Sequence, residues 1–471
     1  MNKATSLKRF SAAAIALLVA LSCPIEMSGQ QPAPSPSQVE QPVNPAMSST
    51  EQGRTELSES FDFRQFQLEA RRKAFEDTKF EFNFRTFYMD KNNFDGSEDQ
   101  AWALGGWAGF KTGYFLEHFA FGATGYAVTP LYAPEDRDGT LLLEPGQDEF
   151  AVLGEIFAEI RIVDDLLITV GRKGFDTPFI NRNDSRMVPN TFEAIVLQGR
   201  FNFDELNSNV PVDASKGGPV PEKKEPAYIK YGAGYFHKIK ERNADHFEYM
   251  SDDAGAPIER GVFALGAIYQ NGPFSIGGID YYSDDTINIA YGEAKMELPF
   301  SHAFRPRLAL QGVHQSSVGD NALEGEDFGV GQFGARLEIP ITKRALFTFA
   351  WTEASGDTNL RSPWSGYPGY TSVQVQDFNR AGEGAFLFRI GYDFPFVDGL
   401  SAYALAVIGT DPDGDTAYSQ NEYDFNVQWA PPKGVLKGLS VRFRYALVDQ
   451  DGGDVADLTD FRAIVNYSLK F

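Results

Sequence analysis

The chain has 471 residues and a formal net charge of −23, from 42 Lys and Arg against 65 Asp and Glu. That balance excludes nucleic acid as a partner, because a phosphate backbone needs a basic footprint. A single cysteine, Cys23, excludes a disulfide scaffold or a cysteine-based metal site, and the five histidines form no ligand-spaced pair.

Mean hydropathy is −0.31, which is too polar for a bundle of membrane helices. Yet 40 Phe, 20 Tyr and 45 Gly stand beside the acids, a mixture expected of strands with one wet and one greasy side. Residues 1–22 read as a secretory signal. Lys3, Lys8 and Arg9 make a basic start, residues 10–21 are apolar but too few to span a bilayer, and Ala20 and Ser22 offer small residues for cleavage. Cys23 follows A-L-S, loosely like a lipoprotein acceptor, but a plain signal beside an incidental cysteine is the expected reading. Residues 23–77 are expected to be a flexible segment rich in Pro, Gln and Ser, with a short amphipathic helix around 67–75. Residues 78–471 contain no second linker and are expected to form one domain.

Within that domain the signal is a period of two, since successive strand side chains point to opposite faces. Phe80, Phe82 and Phe84 alternate with Glu81, Asn83 and Arg85, and Phe386, Phe388, Ile390 and Tyr392 flank Arg389. Tyr423, Phe425, Val427 and Trp429 alternate with acids and amides, and Leu439, Val441, Phe443 and Tyr445 flank Arg442 and Arg444. At the C-terminus Phe461, Ala463, Val465, Tyr467, Leu469 and Phe471 share one face, with Arg462, Asn466, Ser468 and Lys470 on the other. Eighteen such segments are expected, near 79–89, 100–114, 118–129, 150–162, 166–173, 191–203, 227–239, 260–270, 274–283, 286–298, 304–315, 330–341, 344–354, 381–394, 400–410, 420–430, 438–448 and 460–471. Their connections alternate between short ones and long acidic or Gly/Pro-rich ones such as 130–149, 174–190, 355–380 and 449–459. The expected fold is therefore all-β: a transmembrane antiparallel β-barrel of about 18 strands with short periplasmic turns and long extracellular loops. A β-propeller would show a repeat of about 40–50 residues, which is missing, and a sandwich would not explain the export signal.

The most specific string begins at Gly171: G-R-K-G-F-D-T-P-F-I-N-R-N-D-S-R-M-V-P-N-T-F-E. With Q-D-F-N-R-A-G-E at 376–383, the following R-I-G-Y-D-F, P-P-K-G-V-L-K-G-L-S-V-R-F-R-Y-A and the terminal F-R-A-I-V-N-Y-S-L-K-F, it resembles the OprD family of substrate-specific outer-membrane porins. The resemblance covers roughly residues 80–471; the Pro/Gln-rich preface and the acidic loops depart from it. It implies a pore for small hydrophilic solutes, with an arginine track on one lumen wall that guides carboxylates past inward-folded loops. Arginine suits that role because its planar fork holds a carboxylate bidentately and stays charged.

On that reading loop 174–190 supplies the narrow-point Arg186 with Asp184 and Ser185 beside it, and a second inward loop within 355–380 offers Asp357, Tyr367, Tyr370 and Asp377. By parity Arg85, Arg336, Arg389, Arg442, Arg444 and Arg462 fall on inward faces, where Glu155, Glu159, Glu293, Glu297 and Glu338 could neutralise much of the track. Phe471, Leu469 and Tyr467 look like a terminal signal for the barrel assembly machinery. The expected location is the outer membrane after export, in contact with lipid and lipopolysaccharide, as a monomer or trimer. Asp411, Asp413, Asp415 and Glu422 have the spacing of a calcium loop but lack its glycine, so a solvated acidic hairpin is expected and no metal or cofactor. His314 beside Ser316 and Ser317 is the one suggestive catalytic cluster, and proximity alone does not make an enzyme. A general, weakly selective porin and a non-conducting barrel for adhesion or envelope anchoring remain as alternatives.

Overall fold

The computed structural model describes residues 63–203, 227–301, 304–410, 412–414, 418–450 and 457–471. The signal segment, Cys23, most of the preface, and Asp411 and Asp415 of the acidic hairpin lie outside them. Eighteen long strands follow one another: β1 (Lys79–Asn92), β2 (Glu98–Lys111), β3 (Phe119–Tyr132), β4 (Phe150–Val163), β5 (Leu166–Lys173), β6 (Thr191–Asn202), β7 (Tyr228–Lys240), β8 (Val262–Asn271) and β9 (Phe274–Ser283), then β10 (Ile287–Glu297), β11 (Arg307–Ser317), β12 (Gly329–Pro340), β13 (Ala345–Gly356), β14 (Gly384–Asp393), β15 (Leu400–Gly409), β16 (Gln420–Trp429), β17 (Leu439–Gln450) and β18 (Leu458–Lys470). Each pairs antiparallel with its neighbours in sequence, and a two-residue strand, Glu248–Tyr249, adds a side pairing to β7. β1 pairs with β18 from Glu81 opposite Lys470 to Asn92 opposite Thr459, so the sheet closes on itself and has no free edge.

The alternation read from the sequence sorts inside from outside. Phe80, Phe84, Phe386, Phe388, Ile390, Phe425, Val427 and Phe443 are exposed on the outer wall, while Asn83, Arg85, Asp424, Asn426 and Arg462 are buried within. The alternation changes phase in places. Phe87 and Met89 on β1, Phe192 on β6, Phe236 on β7 and Tyr281 on β9 turn inward and are almost wholly buried. A water-filled lumen gives apolar side chains no reason to face it, so each of these marks a place where a loop folds back onto the wall.

Residues 63–76, placed by sequence within the flexible segment, form helix α1 (Phe63–Glu76), which begins four residues before the expected 67–75. It sits at the barrel end that carries the short turns. Ala74 is buried and its carbonyl accepts Gly113 N–H at 2.9 Å, while Phe75 meets Phe115 edge-on with ring centroids 5.4 Å apart.

Candidate functional site

Two loops from the long-loop end fold inward and meet. The β5–β6 loop, 174–190, starts with a tight turn in which Thr177 Oγ1 receives Ile180 N–H at 3.2 Å and donates to Ile180 O at 2.9 Å. Asn183 then takes a left-handed backbone, φ 39°, a conformation that asparagine tolerates better than most residues, and its N–H donates to Asn181 Oδ1. From this turn Phe179 and Ile180 enter one apolar cluster with Phe192, Phe236, Tyr281, Trp364 and Tyr367, and Met187 and Val188 enter another with Phe87, Met89, Ala101 and Ala103. The β13–β14 loop, 357–383, contributes Trp364 and Tyr367 to the first cluster and Tyr370 and Phe378 to a third. The loops touch directly: Phe179 and Tyr367 pack edge-on at 6.0 Å, and Ser365 Oγ donates to Phe179 O at 2.9 Å.

Polar clasps fix both loops to the wall. Arg85, 6% exposed, grips Asp184 with two guanidinium nitrogens at 2.6 and 3.1 Å, donates to Asn466 Oδ1 at 2.5 Å, and also donates to the Arg186 carbonyl. Arg462 is buried against Asp460, with Nε 2.9 Å from Oδ1, and donates to Gln374 O of the second loop at 3.2 Å. Glu422 of β16, buried, accepts Val375 N–H at 2.9 Å and Gln376 N–H at 2.7 Å. This last contact means that Glu422 is a loop anchor inside the barrel, not a ligand of a surface calcium loop.

The expected site residues therefore divide. Arg85, Asp184 and Arg462 are spent on holding loops. Tyr370 donates its hydroxyl to Glu293 at 2.7 Å and carries Arg336 over its ring at 4.4 Å, and Arg336 lies 3.5 Å from Glu338. Asp377 accepts Ser372 Oγ–H at 2.5 Å, and burial raises its pKa from the ordinary aspartate value. Asp357 is exposed. Lys111, Lys173, Arg305 and Arg307 all pair with wall glutamates.

A second group of cations has no carboxylate within ion-pair distance among the described residues: Arg186, Arg389, Arg442 and Arg444, with Arg242 from the β7–β8 loop, 241–261. Arg186 Nε donates to Thr140 O at 2.7 Å, and Arg242 donates to Ser185 Oγ at 2.7 Å. Arg389 lies over Tyr403, 3.9 Å from the ring centroid, and Arg442 donates to Asn426 Oδ1 at 2.5 Å. Arg186 has its pKa lowered first by burial and then by the guanidiniums of Arg462, Arg242 and Arg444, which places several cations within electrostatic reach of one point. A guanidinium stays protonated all the same, and Asp460, near Arg186, and Asp377, near Arg242, offset part of the positive field without forming ion pairs. Arg242 was missed by sequence reasoning because strand parity says nothing about loop residues; its only signal is the basic run Lys238, Lys240, Arg242 at the end of β7. His314 lies on the outer face, its neighbours Val313 and Gln315 being the buried ones.

A closed antiparallel barrel with an apolar outer wall and a polar interior narrowed by folded loops defines a porin of the outer-membrane class. The family model for outer membrane porins of the OprD family matches residues 73–209 and 216–471, and the chain belongs to that family. Porins of this family lie in the outer membrane of Gram-negative bacteria and are not enzymes, so the short turns face the periplasm and the long loops face outward. Among solved structures, OccK9 (OpdG) of Pseudomonas aeruginosa is 21% identical with a TM-score of 0.72, over 84% of this chain and 100% of that one. OccAB3 of Acinetobacter baumannii is 17% identical with a TM-score of 0.71, over 84% and 100%. OpdK of Pseudomonas aeruginosa, solved with vanillate, is 18% identical with a TM-score of 0.68, over 84% and 100%. No curated protein matches the chain in sequence.

Proposed function

We propose that this porin passes small carboxylate-bearing solutes, such as amino acids or organic acids, by selective passive diffusion, with Arg186 at the narrow point and Arg444, Arg442 and Arg389 continuing the path along the β14–β18 wall. The observation that carries this reading is the division of the cations. The loop clasps Arg85 and Arg462 are ion-paired with acids, whereas Arg186, Arg389, Arg442 and Arg444 have no carboxylate within ion-pair distance among the described residues, so an anion in transit meets guanidiniums still able to pair with it. The relative solved with vanillate, an aromatic carboxylate, agrees in chemistry. Binding must stay weak enough to release, and several half-satisfied guanidiniums in series meet that requirement better than one closed pocket.

The test is single-channel conductance of the refolded protein in a planar bilayer with millimolar benzoate, glutamate or arginine. Small steps blocked by a carboxylate, with the block relieved in Arg186→Ala, are expected. Large steps blocked by nothing would make it a general porin. A folded barrel with no steps would leave only the adhesion or anchoring reading.

A further inference from the structure

Outside the lumen path, one group of metal-ligating side chains is unexplained by permeation. Glu144 belongs to the β3–β4 loop, 133–149, and Asp245 and His246 belong to the β7–β8 loop. One ligand atom from each lies within 4.8 Å of the others. The two carboxylates come from loops that are not neighbours in the barrel, because the β5–β6 loop emerges between them. Glu144 Oε1 is shut off from solvent and has no hydrogen-bond partner. Asp245 and His246 remain exposed, with His246 Nδ1 3.1 Å from Asp245 Oδ1, so an ion has an open way in.

Both halves of the cluster are held rigidly. The Glu144 turn closes with Gln147 N–H donating to Glu144 O at 3.0 Å, and Gln147 Nε2 donates to Gln100 O, Pro134 O and Arg137 O at 3.0, 3.2 and 2.9 Å. On the other loop Phe247 lies under Arg172, 4.3 Å from the guanidinium carbon, and Arg172 is paired with Glu193 at 3.1 Å. Two carboxylates facing one another across two anchored loops repel unless a shared proton or a cation sits between them.

We propose that Glu144, Asp245 and His246 form a divalent-cation site that clamps the β3–β4 loop to the β7–β8 loop above the constriction. The imidazole together with two carboxylates selects a borderline ion of the zinc or nickel kind over calcium or magnesium, which prefer all-oxygen shells. Tetrahedral zinc–ligand bonds of about 2.0–2.2 Å set ligand atoms roughly 3.3–3.6 Å apart, so the loops would draw together by up to about an ångström. The site has a consequence for the pore. The β3–β4 loop holds Arg186 through Thr140 O, and the β7–β8 loop holds Ser185 through Arg242, so tying these loops together steadies the narrow point from both sides.

The test has two arms. Calorimetric titration of the full-length refolded protein in detergent with zinc chloride is expected to show one site, weakened about tenfold or more in His246→Ala and in Glu144→Gln. Binding unchanged in both variants, or none in the parent, overturns the site. In the bilayer, micromolar zinc is expected to quieten open-channel current noise in the parent and not in His246→Ala; zinc that binds but leaves the noise unchanged overturns the clamp. The current arm rests on the protein conducting and the binding arm does not, so failure of the pore reading and failure of the site are told apart.

Discussion

At the scale of single residues, the arginines of the lumen fall into two groups, those ion-paired with acids and those without an acid at ion-pair distance among the described residues. Arg85 is a clasp: its guanidinium is buried while its partner Asp184 keeps 41% of its side chain exposed. Removing one partner of a buried pair costs about 3–5 kcal/mol, and solvent access at Asp184 pulls the figure towards the lower end or below it. Arg85→Ala is therefore expected to leave the barrel folded but free the β5–β6 loop, seen as larger and noisier conductance steps. Asp377 is expected to give the proposed constriction a pH response. Burial raises its pKa above that of an ordinary aspartate, and its protonation removes a negative charge near Arg242. As pH falls through that raised pKa, anion selectivity from reversal potentials is expected to increase, and Asp377→Asn is expected to hold the acid-side value across the range.

Elements are placed by close backbone approach as much as by side-chain contact. Helix α1 docks because residue 113 is glycine: a Cβ there would sit 2.9 Å from Ala74 O and 2.7 Å from the Asp77 Cβ. The helix borders a periplasmic vestibule of about 1710 Å³ that Lys111, Tyr114, Lys173 and Asp184 also line. Gly113→Leu is expected to lift α1 off the barrel, read as faster tryptic cleavage at Arg72 and Lys73 while the heat-modified gel shift of the barrel is unchanged. The helix was half legible in sequence. Its apolar spacing at Phe66, Ala70 and Ala74 is helical, but whether so short a helix persists depends on the surface it meets, and that surface lies on the β2–β3 connection.

At the scale of the whole molecule, the last strand closes the ring. Phe471 N–H donates to Phe80 O at 3.0 Å, its carbonyl accepts Phe80 N–H at 3.2 Å, and its ring meets Phe82 edge-on at 6.2 Å, while the residue stays 71% exposed. An exposed terminal ring is open to recognition, which is what the resemblance implies for Phe471, Leu469 and Tyr467 as an assembly signal. Phe471→Ser is expected to cut outer-membrane yield in cells while refolding in detergent proceeds normally; an equal loss in both would make the residue structural.

Sequence alone determined the strand number, their antiparallel order, the outward face and the two loops that carry the family motif. All of these follow from local periodicity, or from a contiguous string, and need no knowledge of what lies opposite. Tertiary structure alone decided which arginines are free. Arg85 and Arg186 look alike in the chain, yet one meets Asp184 and the other meets only carbonyls, because the inward loop arrives from 99 residues away and chooses its partner by packing. The same holds for Arg242, for Glu422 and for the meeting of Glu144 with Asp245 and His246. Charge compensation is a property of neighbours in space, and in a closed barrel those neighbours come from distant strands and loops.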